Sequence, residues 1–231
     1  MSKFYVIDGN SLLFRCFYST FRPGLPLMQS KDGIPTNAIY GFAQMIGHIR
    51  KELKDGDRMI VCFDTGHPTF RSQEIEAYKA QRKPIEPALK TQIPMAHELL
   101  DKMGIEHAEM LGYEGDDVAG SLAKLGQKKD DEVTLFTSDK DFLQLLDDHI
   151  QIHALKKGLT DVIEYTKDNV VEKFGCRADQ IVDFKALAGD PSDNYKGVPG
   201  IGDKTAFKLL SEYNHLEDIF CLLYTSDAAD E

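Results

Sequence analysis

Phe4-Tyr5-Val6-Ile7-Asp8 sets four apolar, strand-forming residues ahead of one carboxylate. The pattern returns at Met59-Ile60-Val61-Cys62-Phe63-Asp64 and at Val133-Thr134-Leu135-Phe136-Thr137-Ser138-Asp139. Short β-rich runs bounded by turn residues predict buried parallel strands. In open α/β sheets the ligand crevice lies at the carboxyl ends of such strands. Three aspartates delivered to one edge repel each other strongly unless a cation sits among them. The first expectation is therefore an α/β fold with a hard-metal site along one sheet edge.

Working outward, strand and helix alternate. Residues 37–54 carry helical periodicity, with Ile39, Phe42, Ile46, Ile49 and Leu53 on one face. Residues 65–93 break the pattern: Pro68, Pro84 and Pro87 punctuate a polar, basic stretch. Long irregular connections inside compact domains are uncommon and usually functional. Further on, the spacing predicts a helix near 91–103, a strand near 105–110, a helix over 114–125 and a helix over 141–146. Beyond about residue 165 the pattern is helical only, with a glycine-rich turn at 197–202.

Composition sets the bounds. The chain has 231 residues and 42% hydrophobic content, enough for one substantial core and a small appended subdomain. No apolar run approaches the roughly 18 residues of a membrane span, and the N-terminus lacks a basic-then-apolar leader pattern. The four cysteines, Cys16, Cys62, Cys176 and Cys221, form no Cys-x-x-Cys pair, which disfavours disulfide and zinc frameworks and fits a reducing cytoplasm. The formal charge of −11 alone argues against a nucleic-acid binder. Its distribution matters more. Basic residues gather at Arg71, Lys79, Arg82, Lys83 and Lys90, and again at Lys196, Lys204 and Lys208. Acids at strand ends would be cancelled by bound divalent cations.

The acidic positions go beyond the strand ends. Gly112-Tyr113-Glu114-Gly115-Asp116-Asp117 opens a helix, where carboxylates ordinarily serve as caps or dipole complements. Asp139 and Asp141 stand two apart, and Asp190 and Asp193 three apart, each pair also compatible with a simple turn. Taken singly, each cluster reads as structural. Taken together, Asp8, Asp64, Glu114, Asp116, Asp117, Asp139, Asp141, Asp190 and Asp193 fall at element ends that parallel topology brings towards one edge. Oxygen ligands without a His or Cys cluster select Mg²⁺ or Mn²⁺. Their number suggests two ions, roughly 4 Å apart, clamping a scissile phosphate.

The turn Gly197-Val198-Pro199-Gly200-Ile201-Gly202 frees the backbone to approach a phosphate, with a helix N-terminus behind it. Asp203 separates Gly202 from Lys204 and no buried strand leads in, so a nucleotide-triphosphate loop is disfavoured. A plain helix–turn–helix corner remains the bland reading. The flanking Lys196, Lys204 and Lys208 favour a non-specific grip on a DNA backbone. In the irregular stretch, Phe70-Arg71 and Tyr78-Lys79-Ala80-Gln81-Arg82 interleave aromatic and basic residues. On a metal–phosphate enzyme Lys79 and Arg82 could neutralise a phosphate while Tyr78 stacks on a base.

In order, Val6-Ile7-Asp8-Gly9-Asn10, Val61-Cys62-Phe63-Asp64, Tyr78–Arg82, Gly112–Asp117, Ser138-Asp139-Lys140-Asp141, Gly189-Asp190-Pro191-Ser192-Asp193-Asn194 and Gly197–Gly202 resemble the bacterial 5′-nuclease (flap endonuclease) family, over about residues 3–220. The resemblance implies a PIN-like α/β core over 1–165 with a mostly parallel sheet flanked by helices. It further implies a helical arch at about 65–95 and a helix–hairpin–helix subdomain over 166–220 that binds duplex DNA, with K⁺. By resemblance Asp8, Asp64, Glu114, Asp116, Asp117 and Asp139 hold the first metal, and Asp141, Asp190 and Asp193 the second. Lys79 and Arg82 match the arch residues that engage the scissile phosphate, with Asp8 and Asp116 central to catalysis. Arg71, Tyr78, Lys196, Gly197, Gly200, Gly202 and Lys204 join them on the DNA side.

The implied activity is metal-dependent hydrolysis of branched, nicked or flapped duplex DNA and of RNA primer–DNA hybrids. The implied state is a monomer, in some members fused to a polymerase. Gly115 stands where alanine is common, a replacement expected to cost only helix propensity. Residues 221–231 resemble a translated sequencing adapter and are expected to be a non-native tail. Two rivals differ in class: a DNA-binding module without cleavage, and a PIN-type ribonuclease. A haloacid-dehalogenase-like phosphatase fails because Gly9 and Asn10, not an Asp-x-Asp, follow strand one.

Overall fold

The alternation of Phe4 and Val6 with Tyr5 and Ile7 decides the layering, because successive side chains of a strand point to opposite faces. The computed structural model describes residues 2–157 and 161–227, with side chains described through residue 155 and from 161 to 221. The chain runs β1 (Lys3–Asp8), α1 (Gly9–Thr20), α2 (Asn37–Glu52), β2 (Arg58–Cys62), α3 (Phe70–Glu74), α4 (Pro87–Lys90), α5 (Ile93–Met103), β3 (Glu106–Ala108), α6 (Gly115–Lys128) and β4 (Glu132–Phe136). A 3₁₀ turn over Lys140–Leu145 follows, then β5 (Ile150–Lys157), β6 (Asp161–Tyr165), α7 (Val170–Lys173), α8 (Ile181–Ala188), α9 (Asp203–Tyr213) and α10 (Leu216–Asp227).

The six strands form one sheet in the order β3-β2-β1-β4-β5-β6. All pairs are parallel except β5–β6. The central strand β1 lies in register with β2 (Asp8 opposite Cys62) and with β4 (Ile7 opposite Phe136). Chain order therefore reverses direction on either side of β1. That is where an open α/β sheet leaves a crevice at its carboxyl edge.

Each face of the sheet has its own core. Tyr5, Ile7, Val61 and Phe63 pack with Leu13, Phe17, Phe42, Ile46 and Leu100 of α1, α2 and α5. Phe4, Val6, Val133 and Leu135 pack with Ala119 and Ala123 of α6, and the same cluster takes in Phe184, Leu187, Ala206 and Leu210 of α8 and α9. The C-terminal helices thus share a core with the sheet. Phe184 and Phe207 stack at 4.5 Å, joining α8 to α9.

The structure differs from the pattern reading at several places. Asp64 and Asp139 lie past the last paired residues of β2 and β4, on the connections that leave the edge. The expected helix over 141–146 is a 3₁₀ turn capped by Asp139. The periodicity of the sequence does not show the α1 helix or the β5–β6 pair. The 65–95 segment contains only the short α3 and α4 ahead of the start of α5, with irregular chain between α3 and α4, as Pro84 and Pro87 and the lack of apolar periodicity dictate. Among the described residues no helix is long and apolar enough to cross a membrane.

Candidate active site

Asp8 ends β1 and caps α1, so its carboxylate is fixed from two sides. Oδ1 accepts from the Ser11 amide at 2.9 Å and Oδ2 from Thr137 Oγ1 at 2.9 Å. Burial pushes this carboxyl up to about 6; the two hydrogen bonds oppose the rise, and the charges of Asp139 and Asp64 add to it. Asp64 accepts from the Gly115 amide at 2.6 Å and from the Asn10 side chain.

Gly115 is fitted rather than tolerated. A Cβ there would stand 2.9 Å from the Phe63 carbonyl carbon and 3.1 Å from Asp64 N. In this chain alanine at 115 would therefore push α6 off the end of β2 by a few tenths of an ångström, so the close packing here is made around the glycine.

Glu114 caps α6 and is buried. Its Oε2 accepts from Lys79 Nζ at 2.6 Å and from Tyr78 Oη at 3.0 Å. Asp116, in the first turn, has its Oδ1 buried without a hydrogen-bond partner among the described residues. Burial pushes its carboxyl up to about 7, with the charge of Glu114 adding to it. Asp117 points elsewhere. Arg71 grips both of its oxygens, at 2.6 and 2.7 Å, and holds its carboxyl below the usual range, while the Glu114 amide donates at 3.1 Å.

A second group of carboxylates adjoins the first. Asp141, Asp190 and Asp193 bring one oxygen each within 4.8 Å of the others. Lys185 of α8 donates to Asp141 and, at 2.5 Å, to Asp190. Burial alone would raise Asp190; its hydrogen bonds from Lys185 and Ser192 win and hold it at about 2. Burial and the charge of Asp139 raise Asp141 despite the same ammonium. Arg82 pairs with Asp193 at 2.8 Å, and Lys79 stands 4.0 Å from it.

A cleft of about 1080 Å³ unites most of these groups: Asp8, Asp64, Glu114, Asp116, Asp139, Asp141 and Asp190, with Tyr78, Lys79 and Arg82 on the arch side. Asp117, Asp193 and Arg71 instead line an adjoining cleft, which also reaches Asp116 and Asp141. Lys196, Gly197, Gly200 and Gly202, on the hairpin between α8 and α9, and Lys204, in the first turn of α9, stand outside both. There the Val198 amide bonds Leu187 O at 2.8 Å, Gly200 takes φ +84, and both lysines are exposed.

Oxygen-only donors, an orphaned Asp116 oxygen and two carboxyls driven up by burial make a donor set that fits a hard divalent cation. The Lys185 ammonium between Asp141 and Asp190 marks a second point where positive charge is accommodated. Pattern reading missed Asn10, Thr137 and Lys185. Asn10 lies two residues past the first strand-end aspartate, and Lys185 precedes Asp190 by five residues; Thr137 sits inside the third strand run with no signal of its own.

Known proteins share this arrangement. The family described as "5′-3′ exonuclease, N-terminal resolvase-like domain" matches residues 3–175, and its companion "5′-3′ exonuclease, C-terminal SAM fold" matches 176–228. DNA polymerase I of Bacillus subtilis is 42% identical over 217 residues, covering 94% of this chain and 24% of the polymerase. The chain thus spans about a quarter of the length of such relatives. Among solved structures, the T5 5′-exonuclease with divalent zinc bound superposes with a TM-score of 0.72 at 27% identity, covering 96% of this chain and 79% of the other. Flap endonuclease-1 from Methanococcus jannaschii shares the fold, with a TM-score of 0.60 at 19% identity over 91% of this chain and 71% of its own. With both family domains matched in sequence and the acidic cleft formed at their junction with the arch, the chain belongs to the 5′-3′ exonuclease family of metal-dependent nucleases.

Proposed function

We propose that this chain is a structure-specific 5′ nuclease, acting as 5′→3′ exonuclease and flap endonuclease on branched, nicked or flapped duplex DNA and on RNA primer–DNA hybrids. Its place is primer and flap removal in replication and repair. The observation that carries the reading is one cleft in which Asp8, Asp64, Glu114, Asp116 and Asp139 face Lys79 and Arg82 of the arch. Acid on one wall and base on the other suits a phosphodiester held between cations.

Asp8, Asp64, Glu114, Asp116 and Asp139 would serve one ion, directly or through water, and Asp141, Asp190 and Asp193 a second; Asp117, both of whose oxygens Arg71 holds, would steady the Glu114 end of α6 rather than reach the first ion. We assign Mg²⁺ or Mn²⁺. When bound, such ions acidify an attacking water and neutralise charge on the attacking and leaving oxygens. The chain's own groups do the rest. Thr137 and the Ser11 amide fix the Asp8 carboxylate in one orientation. Lys79 and Arg82, now paired with Glu114 and Asp193, would exchange those partners for the non-bridging oxygens of the phosphate. Tyr78 offers a ring beside them for a terminal base.

Exposed Lys196 and Lys204 flank the glycine turn that would grip the duplex backbone, with K⁺ at the hairpin. Phosphate contacts position and do not specify, so base sequence should matter little and added salt should weaken binding steeply. We read the protein as a monomer corresponding to the nuclease portion of a DNA polymerase I, with a core over 1–165 and a hairpin subdomain over 166–220; the tail expected over 221–231 falls within α10 and the C-terminal family match as far as residues 227 and 228, and residues 228–231 lie outside the described residues. The test is cleavage of a 5′-labelled flap duplex with Mg²⁺ and with EDTA, beside Asp116→Asn. Metal-dependent release of the flap, lost in the variant, supports the reading. A folded chain that binds the duplex and never cuts it would be a binding module instead.

A further inference from the structure

Besides the Arg82–Asp193 ion pair, the arch is fastened to the 190–194 loop by contacts that involve no carboxylate. Gln81 Nε2 donates to Pro191 O at 2.8 Å and to Ser192 O at 3.2 Å. From the other side Asn194 Nδ2 donates to Ala77 O at 2.8 Å. Between them the Lys79 amide bonds Asp193 O at 3.2 Å. The bonded residues on the two segments stand more than 100 positions apart in the chain.

Two features indicate that this contact is built. Lys79 and Asn194, one on each segment, both adopt left-handed backbone, at φ 53 and φ 60. For Asn194 this is the ordinary end of the 3₁₀ turn over Pro191–Asp193, whereas a lysine seldom takes it unless its surroundings hold it there. The loop side is also stiff. Asp190 and Tyr195 exchange backbone hydrogen bonds at 2.8 Å each, and Asp190 Oδ1 accepts from both Ser192 N and Ser192 Oγ.

We propose that Gln81 and Asn194 are positioning residues that hold the arch on the 190–194 loop, so that Lys79 and Arg82 and the carboxylates of that loop move as one body. Gln81 carries no charge and touches no acidic group in this arrangement, so its role is geometric. The Gln81 and Asn194 amides flank Lys79 in the chain and across the contact, and so set where its ammonium lies. The catalytic part of this inference rests on the nuclease reading above; the fastening itself does not.

The experiment compares the full chain with Gln81→Ala and Asn194→Gly. Glycine keeps the left-handed backbone at position 194 without strain and removes the side-chain amide. In EDTA, amide hydrogen exchange of residues 77–82 is expected to quicken about fivefold or more in either variant, the loss of roughly one net hydrogen bond. The thermal midpoint should hold. With Mg²⁺ and a flap duplex, kcat should fall several-fold while KM changes less than twofold. Unchanged exchange in both variants overturns the proposal. So does exchange that quickens across the whole domain with a falling midpoint, or quickened arch exchange with unaltered kcat. Local quickening in the variants, with no cleavage by the unsubstituted chain, would keep the fastening and sink the nuclease reading.

Discussion

Lys79 Nζ donates a 2.6 Å hydrogen bond to Glu114 Oε2, tying the arch to the N-cap of α6 across the mouth of the cleft. Burial works against the ammonium, yet Glu114 and Tyr78 outweigh it and raise the Lys79 pKa. In the metal-free chain this pair neutralises a buried carboxylate. Lys79→Met should therefore destabilise the metal-free protein by about 1–3 kcal/mol, through the uncompensated Glu114. Added Mn²⁺ should recover most of that loss, since a cation at the acidic edge replaces the missing charge. Turnover should stay depressed by about 100-fold even with the metal present, because the phosphate has lost a charged donor. Thermal melts with and without Mn²⁺, beside flap-cleavage rates, separate the two effects. A midpoint that Mn²⁺ does not lift would show that Glu114 takes no part in holding the ion.

Asp116 presents the opposite case, a carboxylate with one oxygen buried and unpartnered. Asp116→Asn removes the charge that burial disfavours. The metal-free variant is expected to be more stable than the parent by about 1–2 kcal/mol, while cleavage drops at least about a thousandfold. Duplex affinity should be largely spared, as the exposed lysines of the hairpin are untouched. A melt in EDTA and a gel-shift titration check both halves. Loss of DNA binding equal to the loss of cleavage would mean the residue organises the fold as well as the chemistry.

The pH dependence of stability follows from Asp8, raised to about 6, and Asp116, raised to about 7. An unfolded aspartate titrates near 3.9. Between about pH 4 and 7 the folded chain holds protons that the unfolded chain has released, so stability falls as pH rises through that window. The metal-free protein should lose on the order of 2–4 kcal/mol between pH 4.5 and 7.5 from these two groups, after allowance for solvent screening. With saturating Mg²⁺ the trend should flatten or reverse, because the ion favours the ionised forms. Denaturant midpoints at the two pH values, in EDTA and in Mg²⁺, test the sign. Below about pH 4 the carboxylates held low by partners, Asp117 on Arg71 and Asp190 on Lys185, work the other way.

The parts of this molecule that sequence made legible are those with a period. Phe4 to Asp8 alternates faces and stops at a charge, so both the buried strand and the acidic edge follow from the residues alone. Glu114 and Asp116 open a helix whose apolar stripe is plain. The rest depends on contacts that leave no periodic trace. Lys185 is one lysine on a short helix, and only the turn that carries Asp190 back over α8 shows that its ammonium lies among carboxylates. Gln81 reads as an ordinary polar loop residue until the chain brings Pro191 and Ser192 beside it. Asp117 stands next to Asp116 in sequence, but Arg71 turns it into the neighbouring cleft, a choice made by a partner 46 positions away.

The crossing of Gly189 and Gly197 gives the last test. Gly189 has φ +81, and a Cβ there would lie 2.5 Å from Gly197 N and 2.9 Å from Tyr195 O. Both obstacles are backbone, so no side chain can swing aside to make room. Gly189→Ala must therefore pry the 190–195 loop from the hairpin and adopt a left-handed backbone as well, at a combined cost of about 2–4 kcal/mol. The damage should reach both sides of the crossing. On one side the Asp141, Asp190 and Asp193 oxygens would separate, and on the other the turn carrying Lys196 and Lys204 would shift. The variant should therefore lose Mn²⁺ affinity and duplex affinity together, measured by calorimetry and by fluorescence anisotropy, whereas Lys196→Ala should weaken the duplex alone. Retention of both affinities by Gly189→Ala would mean that the close crossing is not what holds the two sites in register.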